Sequence, residues 1–227
     1  MNRGQLKRRV ARTLGASLGT SEDEIEDTQL LEELANEGVY DILVRTRVNI
    51  RSGQVTFQAE DDGATEFDIG IPILRMHGIK RNGQPLFEQA RDNLASNGFM
   101  FAGFSRVVLG APVSMGDTLL FWYTPEPHPM TQDEHDPSQE QYGRIPPLFH
   151  RAILNYMLWN AADKLGDIQA GRGERYRAQY EGQDGAAGPG TDLGRIRFAV
   201  TARGGNVINR RAREVLASDV QNNYWIG

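Results

Sequence analysis

The chain of 227 residues contains no cysteine. That absence removes disulfides, thiolate metal sites and cysteine nucleophiles together, so stability has to come from packing or from partner subunits. It also lacks any apolar run approaching the roughly 20 residues that cross a bilayer. Its opening, MNRGQLKRRVARTLGASLG, has no continuous apolar stretch of the kind a secretory signal carries. The expectation is synthesis in a cytoplasm and no membrane partner. Internal repeats are absent too. What is present, 39% hydrophobic and 24% charged residues, belongs to a globular protein and excludes disorder throughout.

Charge is unevenly placed. Residues 1–20 carry Arg3, Lys7, Arg8, Arg9 and Arg12 without an acid, a local +5. Residues 193–227 carry six arginines against Glu214 and Asp219, a local +4, so the net −5 of the whole chain leaves −14 for residues 21–192. Basic ends on an acidic body suit docking between copies or onto a partner, whereas a general nucleic-acid binder is basic overall.

Periodicity divides the chain. Leu6, Val10 and Leu14 form one stripe of a surface helix over 5–15, with the cations around the rest. Ser21 and Glu24 can make a capping box, and Asp27 or Thr28 offers a second start for a helix over 28–46 that buries Leu31, Leu34, Ala35, Gly38 and Ile42. From Val48 to Tyr123 the period falls to two, in short β-rich runs separated by Gly, Asn, Asp and Pro. Asn82-Gly83 marks a type I′ hairpin, and Leu119, Phe121 and Tyr123 alternate toward one face. The expectation is an antiparallel meander of five to seven strands, enough for a small sandwich or barrel. Residues 124–147 are proline-rich with little apolar content and read as an exposed loop, after which Pro146 and Pro147 start a helix over 148–165. That helix is apolar on nearly every side and must be surrounded, by its own bundle or by neighbouring subunits. A weaker helix follows over 169–181.

The fold class expected is therefore α+β. A helical bundle supplies 1–47 and 143–185, an antiparallel β domain is inserted over 48–128, and an extended arm covers 186–227. In the arm, Ile196, Phe198 and Val200 alternate as in a strand, and residues 206–220 have the spacing of a short amphipathic helix. Neither buries enough apolar area to offset ordering 35 residues at ~1–2 kcal/mol each. A partner surface is expected to supply the difference, through Arg195, Arg197, Arg203, Arg210, Arg211 and Arg213 on carboxylates and through Phe198, Val200, Leu216, Tyr224 and Trp225 in apolar pockets.

Catalytic chemistry finds little support. His128, Asp133, His135 and Asp136 are metal-ligand types, but they lie in a loop without a rigid scaffold. His150 sits on an apolar helix, where a hydrogen-bonded interior role outweighs that of a base. Ser105 is in no G-x-S-x-G elbow, the GRGERY run at 171–176 lacks the strand that a phosphate-binding loop follows, and the acids at 22–27 are helix-start chemistry. No enzyme activity, metal or cofactor is expected. An alternative is a ligand-binding module for carbohydrate or a receptor, using Phe121, Trp122 and Tyr123 on the β domain.

Four stretches, LLEELANEGVYDILVRT (30–46), FDIGIPILRMHGIKRNGQPL (67–86), DTLLFWYTPEP (117–127) and IPPLFHRAILNYMLWNAADKLGD (145–167), carry a resemblance in order and spacing. The chain resembles the head-to-tail adaptor, or connector, proteins of tailed bacteriophages. The resemblance implies a structural virion protein in the phage neck. It would form a ring, commonly of twelve copies, beneath the portal, with a helical bundle around a DNA channel and a C-terminal extension gripping the portal protein. Implied partners are the portal, neighbouring copies, a tail or second neck protein, and DNA in transient, sequence-independent passage.

Overall fold

The computed structural model of the protein describes residues 1–15, 22–164, 167–182 and 184–202. The chain divides into two compact units, one of Met1–Asn49 with Pro127–Gly204, the other centred on Ile50–Glu126.

The first unit holds helices α1 (Arg3–Leu14), α2 (Glu22–Arg45), α3 (His150–Lys164), α4 (Asp167–Tyr180) and α5 (Asp192–Ala202). Asn2 fixes the start of α1 with a capping box: its side chain accepts from the Gln5 amide at 2.9 Å, and the Gln5 side chain accepts from the Asn2 amide at 3.2 Å. Gly15, at φ 75°, ends it in the left-handed conformation that glycine adopts without strain. The α2 face expected from spacing is buried as a row, Leu31, Leu34, Ala35, Gly38 and Ile42. Helix α2 runs unbroken from Glu22, directly after the first candidate start at Ser21 and ahead of the second at Asp27 or Thr28. Helix α3 packs against α1, α2, α4 and α5, which is what its all-round apolarity demanded. His150 at its start is buried, and its Nε2 lies 3.0 Å from the Ile145 carbonyl. Burial holds its pKa below the ordinary imidazole value.

Two expectations about this unit are corrected. The proline-rich segment before α3 is a fitted strap: Met130, Tyr142 and Ile145 are buried, and His135 stacks on Tyr142 with centroids 4.3 Å apart. In addition, the α1 cations do not all face solvent. Arg3 and Lys7 are 5% and 6% exposed because the strap accepts them. Arg3 donates to the carbonyls of Met130 at 2.7 Å and Thr131 at 2.8 Å, while the Lys7 ammonium lies 2.6 Å from Asp133 and 2.7 Å from Glu32. The first amides of α1, which have no partner within a helix, donate to strap carbonyls, Arg3 to His135 at 2.8 Å and Gly4 to Asp133 at 3.0 Å. Lys7 leads the influences that hold the Asp133 carboxyl below its ordinary pKa.

The second unit is one curled seven-stranded sheet in the order β1-β7-β3-β4-β5-β6-β2. Its strands are β1 (Arg51–Thr56), β2 (Glu66–Asp68), β3 (Ile73–Arg81), β4 (Gln84–Glu88), β5 (Gly98–Phe101), β6 (Arg106–Leu109) and β7 (Thr118–Pro125). Each falls within or beside a β-rich run of the sequence, and Asn82-Gly83 turns β3 into β4 with φ of 50° and 83°. The expected antiparallel meander is corrected in order and in direction: β7 lies between β1 and β3, and β2 pairs with β6, so strands consecutive in sequence are not always neighbours. Strands β4 and β5 pair in parallel, Phe87 beside Gly98 and Glu88 beside Phe99. Both halves of the sheet contribute to one core that includes Phe57, Ile79, Phe99, Val107, Leu119, Phe121 and Tyr123. Gly53 of β1 lies opposite Phe121, whose ring would stand 2.5 Å from an added Cβ.

Asp117 ties this sheet at one corner. Its carboxylate accepts from the Ser114 amide at 2.8 Å, from the Asn82 side chain and from Arg81 Nε at 3.0 Å, and Asn82 in turn accepts from the Thr118 amide at 2.8 Å. The Ser114 amide first, then Asn82 and Arg81, hold the Asp117 pKa down to about 2. A carboxyl depressed in the folded state stabilises fully above its unfolded value of about 3.9, and that contribution disappears as pH falls toward 2. Urea unfolding of the wild type should thus lose more stability between pH 5 and about 2.5 than that of Asp117→Asn. Equal losses in the two would remove Asp117 as the anchor.

In the first unit, Glu32→Ala or Asp133→Ala should each cost about 1 kcal/mol, since both carboxylates are partly exposed and either can still serve Lys7. The double variant strands two buried cations and should cost about 1–2 kcal/mol beyond the sum, measured as a coupling energy in denaturant.

Candidate partner-binding surface

The partner residues expected from the sequence begin in α5. Its residues alternate apolar and polar well enough to pass for a strand, yet they form a helix, because Leu193, Ile196 and Val200 recur at i, i+3 and i+7 and are all buried in their own unit. The strand expectation is thereby corrected, and so is the expectation that the whole arm from 186 stands off the subunit. Val200, counted above among the apolar anchors for a partner, points inward at 6% exposure. Arg203, Arg210, Arg211, Arg213, Leu216, Tyr224 and Trp225 lie outside the described residues.

The seat of α5 is built from backbone and buried polar groups. Thr191 caps the helix: its hydroxyl accepts from the Gly194 amide at 3.0 Å and donates to the Gly188 carbonyl at 2.7 Å. Asn155 of α3 donates to Asp192 at 2.6 Å, both groups being buried. Gly194 lies so close to the preceding turn that an added Cβ would stand 2.0 Å from the Gly188 carbonyl oxygen. Only glycine fits there.

A cluster of charges braces the turn that leads into α5. Arg45, in the last turn of α2, pairs with Glu181, donates to the Gly185 carbonyl at 3.2 Å and lies 3.7 Å from Asp41. Arg177 Nε donates to Glu181 at 3.0 Å, and the Tyr180 hydroxyl donates to Asp41. Burial pushes the Tyr180 phenol upward, with the Asp41 charge adding to it, and burial also takes the neighbouring Tyr156 up to about 12. Burial would raise Glu181 as well, but Arg45 and Arg177 hold it below the ordinary carboxylate range. Burial raises the Asp41 carboxyl above its ordinary pKa, against the opposing pull of the Tyr180 hydroxyl and Arg45. The arrangement is a structural brace between the end of α2 and the turn into α5.

What α5 presents outward is a small basic and aromatic face. Phe198 is 72% exposed, and Arg195 is exposed one turn before it. Arg197 is also exposed, but its Nε donates to the Arg45 carbonyl at 3.0 Å, so it serves partly to hold the helix to the end of α2. Of the four α5 residues expected to meet a partner, the fold brings Arg195, Arg197 and Phe198 to the surface and withdraws Val200.

The other proposed ligand surface does not exist in the form expected. Phe121, Trp122 and Tyr123 are all buried, so the β unit offers no stacking platform there for a sugar ring. The sequence reading missed Phe104 instead. It is 80% exposed at φ 50°, follows Gly103 in the tight turn between β5 and β6, and edges a groove lined by Glu66, Asp68, Arg91 and Arg106. The Gly-Phe-Ser sequence between two β-rich runs is the signal that marks such a tip. Among the described residues no group of three or more His, Asp or Glu is placed to hold a metal ion, and no helix is long and apolar enough to cross a membrane.

Residues 1–212 match the family described as SU10 adaptor protein. No curated protein matches the chain.

Gly194→Ala should unseat α5, exposing 186–202 to limited proteolysis at a rate at least about tenfold above wild type, with a stability loss of about 1–3 kcal/mol. An unchanged cleavage pattern would show that the Gly188 turn yields to a methyl group.

Proposed function

The chain belongs to the SU10 adaptor protein family, and from that membership we propose that it is the head-to-tail adaptor of a tailed phage, a ring of copies beneath the portal that joins capsid to tail. The observation that carries the reading is the extent of the match, which spans both compact units and runs ten residues past α5. Family membership implies a structural protein of the virion that meets other virion components such as portal and tail proteins. The finer assignments are the proposal: a ring of twelve copies in the neck, assembly in the host cytoplasm, and a DNA channel through the ring.

In this reading the C-terminal residues from 203 onward grip the portal, and α5 is their root. The brace around Arg45 and Glu181 fixes where the tail leaves the subunit, so that less entropy is lost when the tail docks. Arg203, Arg210, Arg211, Arg213, Leu216, Tyr224 and Trp225 supply the cationic and aromatic side chains that dominate such interfaces. A ring presents many tails at once, and each binds at the high effective concentration set by its neighbours. The −14 carried by residues 21–192 disfavours adhesion of DNA phosphates wherever those residues face the channel, within a Debye length of about 8 Å.

Removing residues 203–227 should leave a folded subunit with the wild-type unfolding transition and no measurable assembly on purified portal, scored by co-sedimentation and electron microscopy. Assembly with undiminished affinity would place the portal grip elsewhere.

A further inference from the structure

Among the described side chains of helix α2, Gln29, Glu33, Glu37 and Tyr40 are exposed, at the spacing that stacks residues along one helix face. Tyr40 is half exposed at the end of the acidic part, Glu33 meets no partner among the described residues, and Glu37 lies beside the Tyr156 hydroxyl. Opposite in character is the outward face of α5, where Arg195 and Phe198 stand one turn apart. Each face thus offers carboxylate or guanidinium beside a ring, and both belong to the same compact unit. Tyrosine and arginine are among the residue types enriched at the centre of interfaces.

We propose that the α2 stripe of one copy docks against the outward face of α5 of a second copy, with Glu33 facing Arg195 and Tyr40 packing on Phe198. The contact is heterologous, one surface meeting a different one, and repetition of such a contact about one axis gives a ring when the rotation closes. Charge complementarity selects the occupant: Glu33 and Glu37 repel a second α2, and Arg195 repels a second α5, so a self-matched contact of either face is disfavoured. This inference rests on the ring reading above and names the surfaces that meet within it. Arg197 keeps its bond to the Arg45 carbonyl and so holds α5 in place for the contact.

The lack of native cysteine makes the test direct. Full-length Tyr40→Cys and Phe198→Cys chains, distinguished by a tag on one of them, are mixed, assembled with portal, oxidised and resolved by non-reducing electrophoresis and mass spectrometry. The expected result is a disulfide between position 40 of one chain and position 198 of the other, with little 40–40 or 198–198 product. Glu33→Arg or Arg195→Glu, added to the appropriate cysteine chain, should each lower its yield about tenfold, and combining the two reversals should restore it. Rings visible by electron microscopy without the 40–198 product, or with 40–40 or 198–198 product in its place, overturn this contact and leave the adaptor reading standing. Absence of both rings and cross-link overturns the two together.

Discussion

The pairing of β1 with β7 is the constraint on which the architecture depends. These are the first and last strands of the second unit, and they run antiparallel with Arg51 opposite Tyr123 and Thr56 opposite Thr118. The two chain ends of the sheet are therefore side by side, and a unit whose ends meet can be set into another chain without prying its halves apart. Close pairing of the two strands has a steric condition, since the Phe121 ring occupies the space above Gly53. The turn region around Asp117 then fixes the far end of β7 to the β3–β4 hairpin.

The same problem, closing a chain that has been interrupted, is solved in the helical unit by charge. The returning segment 127–147 carries few apolar groups, so hydrophobic burial alone holds it weakly. It is held by Arg3 and Lys7, which reach from α1 into carbonyls and carboxylates of the strap, and by Asn36 of α2, which accepts from the Met130 amide at 2.7 Å. Removing two cations from water is costly, and the cost is offset only because nearly every donor has an acceptor. The strap also covers the start of α3, where the buried His150 ring lies 3.0 Å from the Ile145 carbonyl.

Local features of this fold were legible in the sequence and long-range ones were not. The Asn82-Gly83 hairpin, the buried row on α2 and the alternation of Leu119, Phe121 and Tyr123 depend on residues close in the chain, so spacing alone reveals them. The parallel β4–β5 pair is held by the Phe87 amide on the Asn97 carbonyl and the Gln89 amide on the Phe99 carbonyl, contacts between segments whose sequences do not announce each other. Helix α5 was ambiguous because Ile196 and Val200 satisfy both a period of two and a separation of four. What decides it is remote: Asn155 on Asp192, and the Gly188 turn beneath Gly194. Composition marked 124–147 as an exposed loop, but Thr124 and Pro125 end β7, and the irregular backbone that follows is not the same as solvated backbone. For the candidate surface, residue type picked out Arg195 and Phe198, whereas only the packing could show that Val200 faces inward and that Phe104 does not.

The contact between Gly194 and the Gly188 carbonyl has a further consequence. Side chains absorb small misfits by changing rotamer, but two main chains in contact have no such adjustment. Helix α5 therefore cannot approach the Gly188 turn more closely, or carry a side chain at position 194, unless the turn itself is rebuilt.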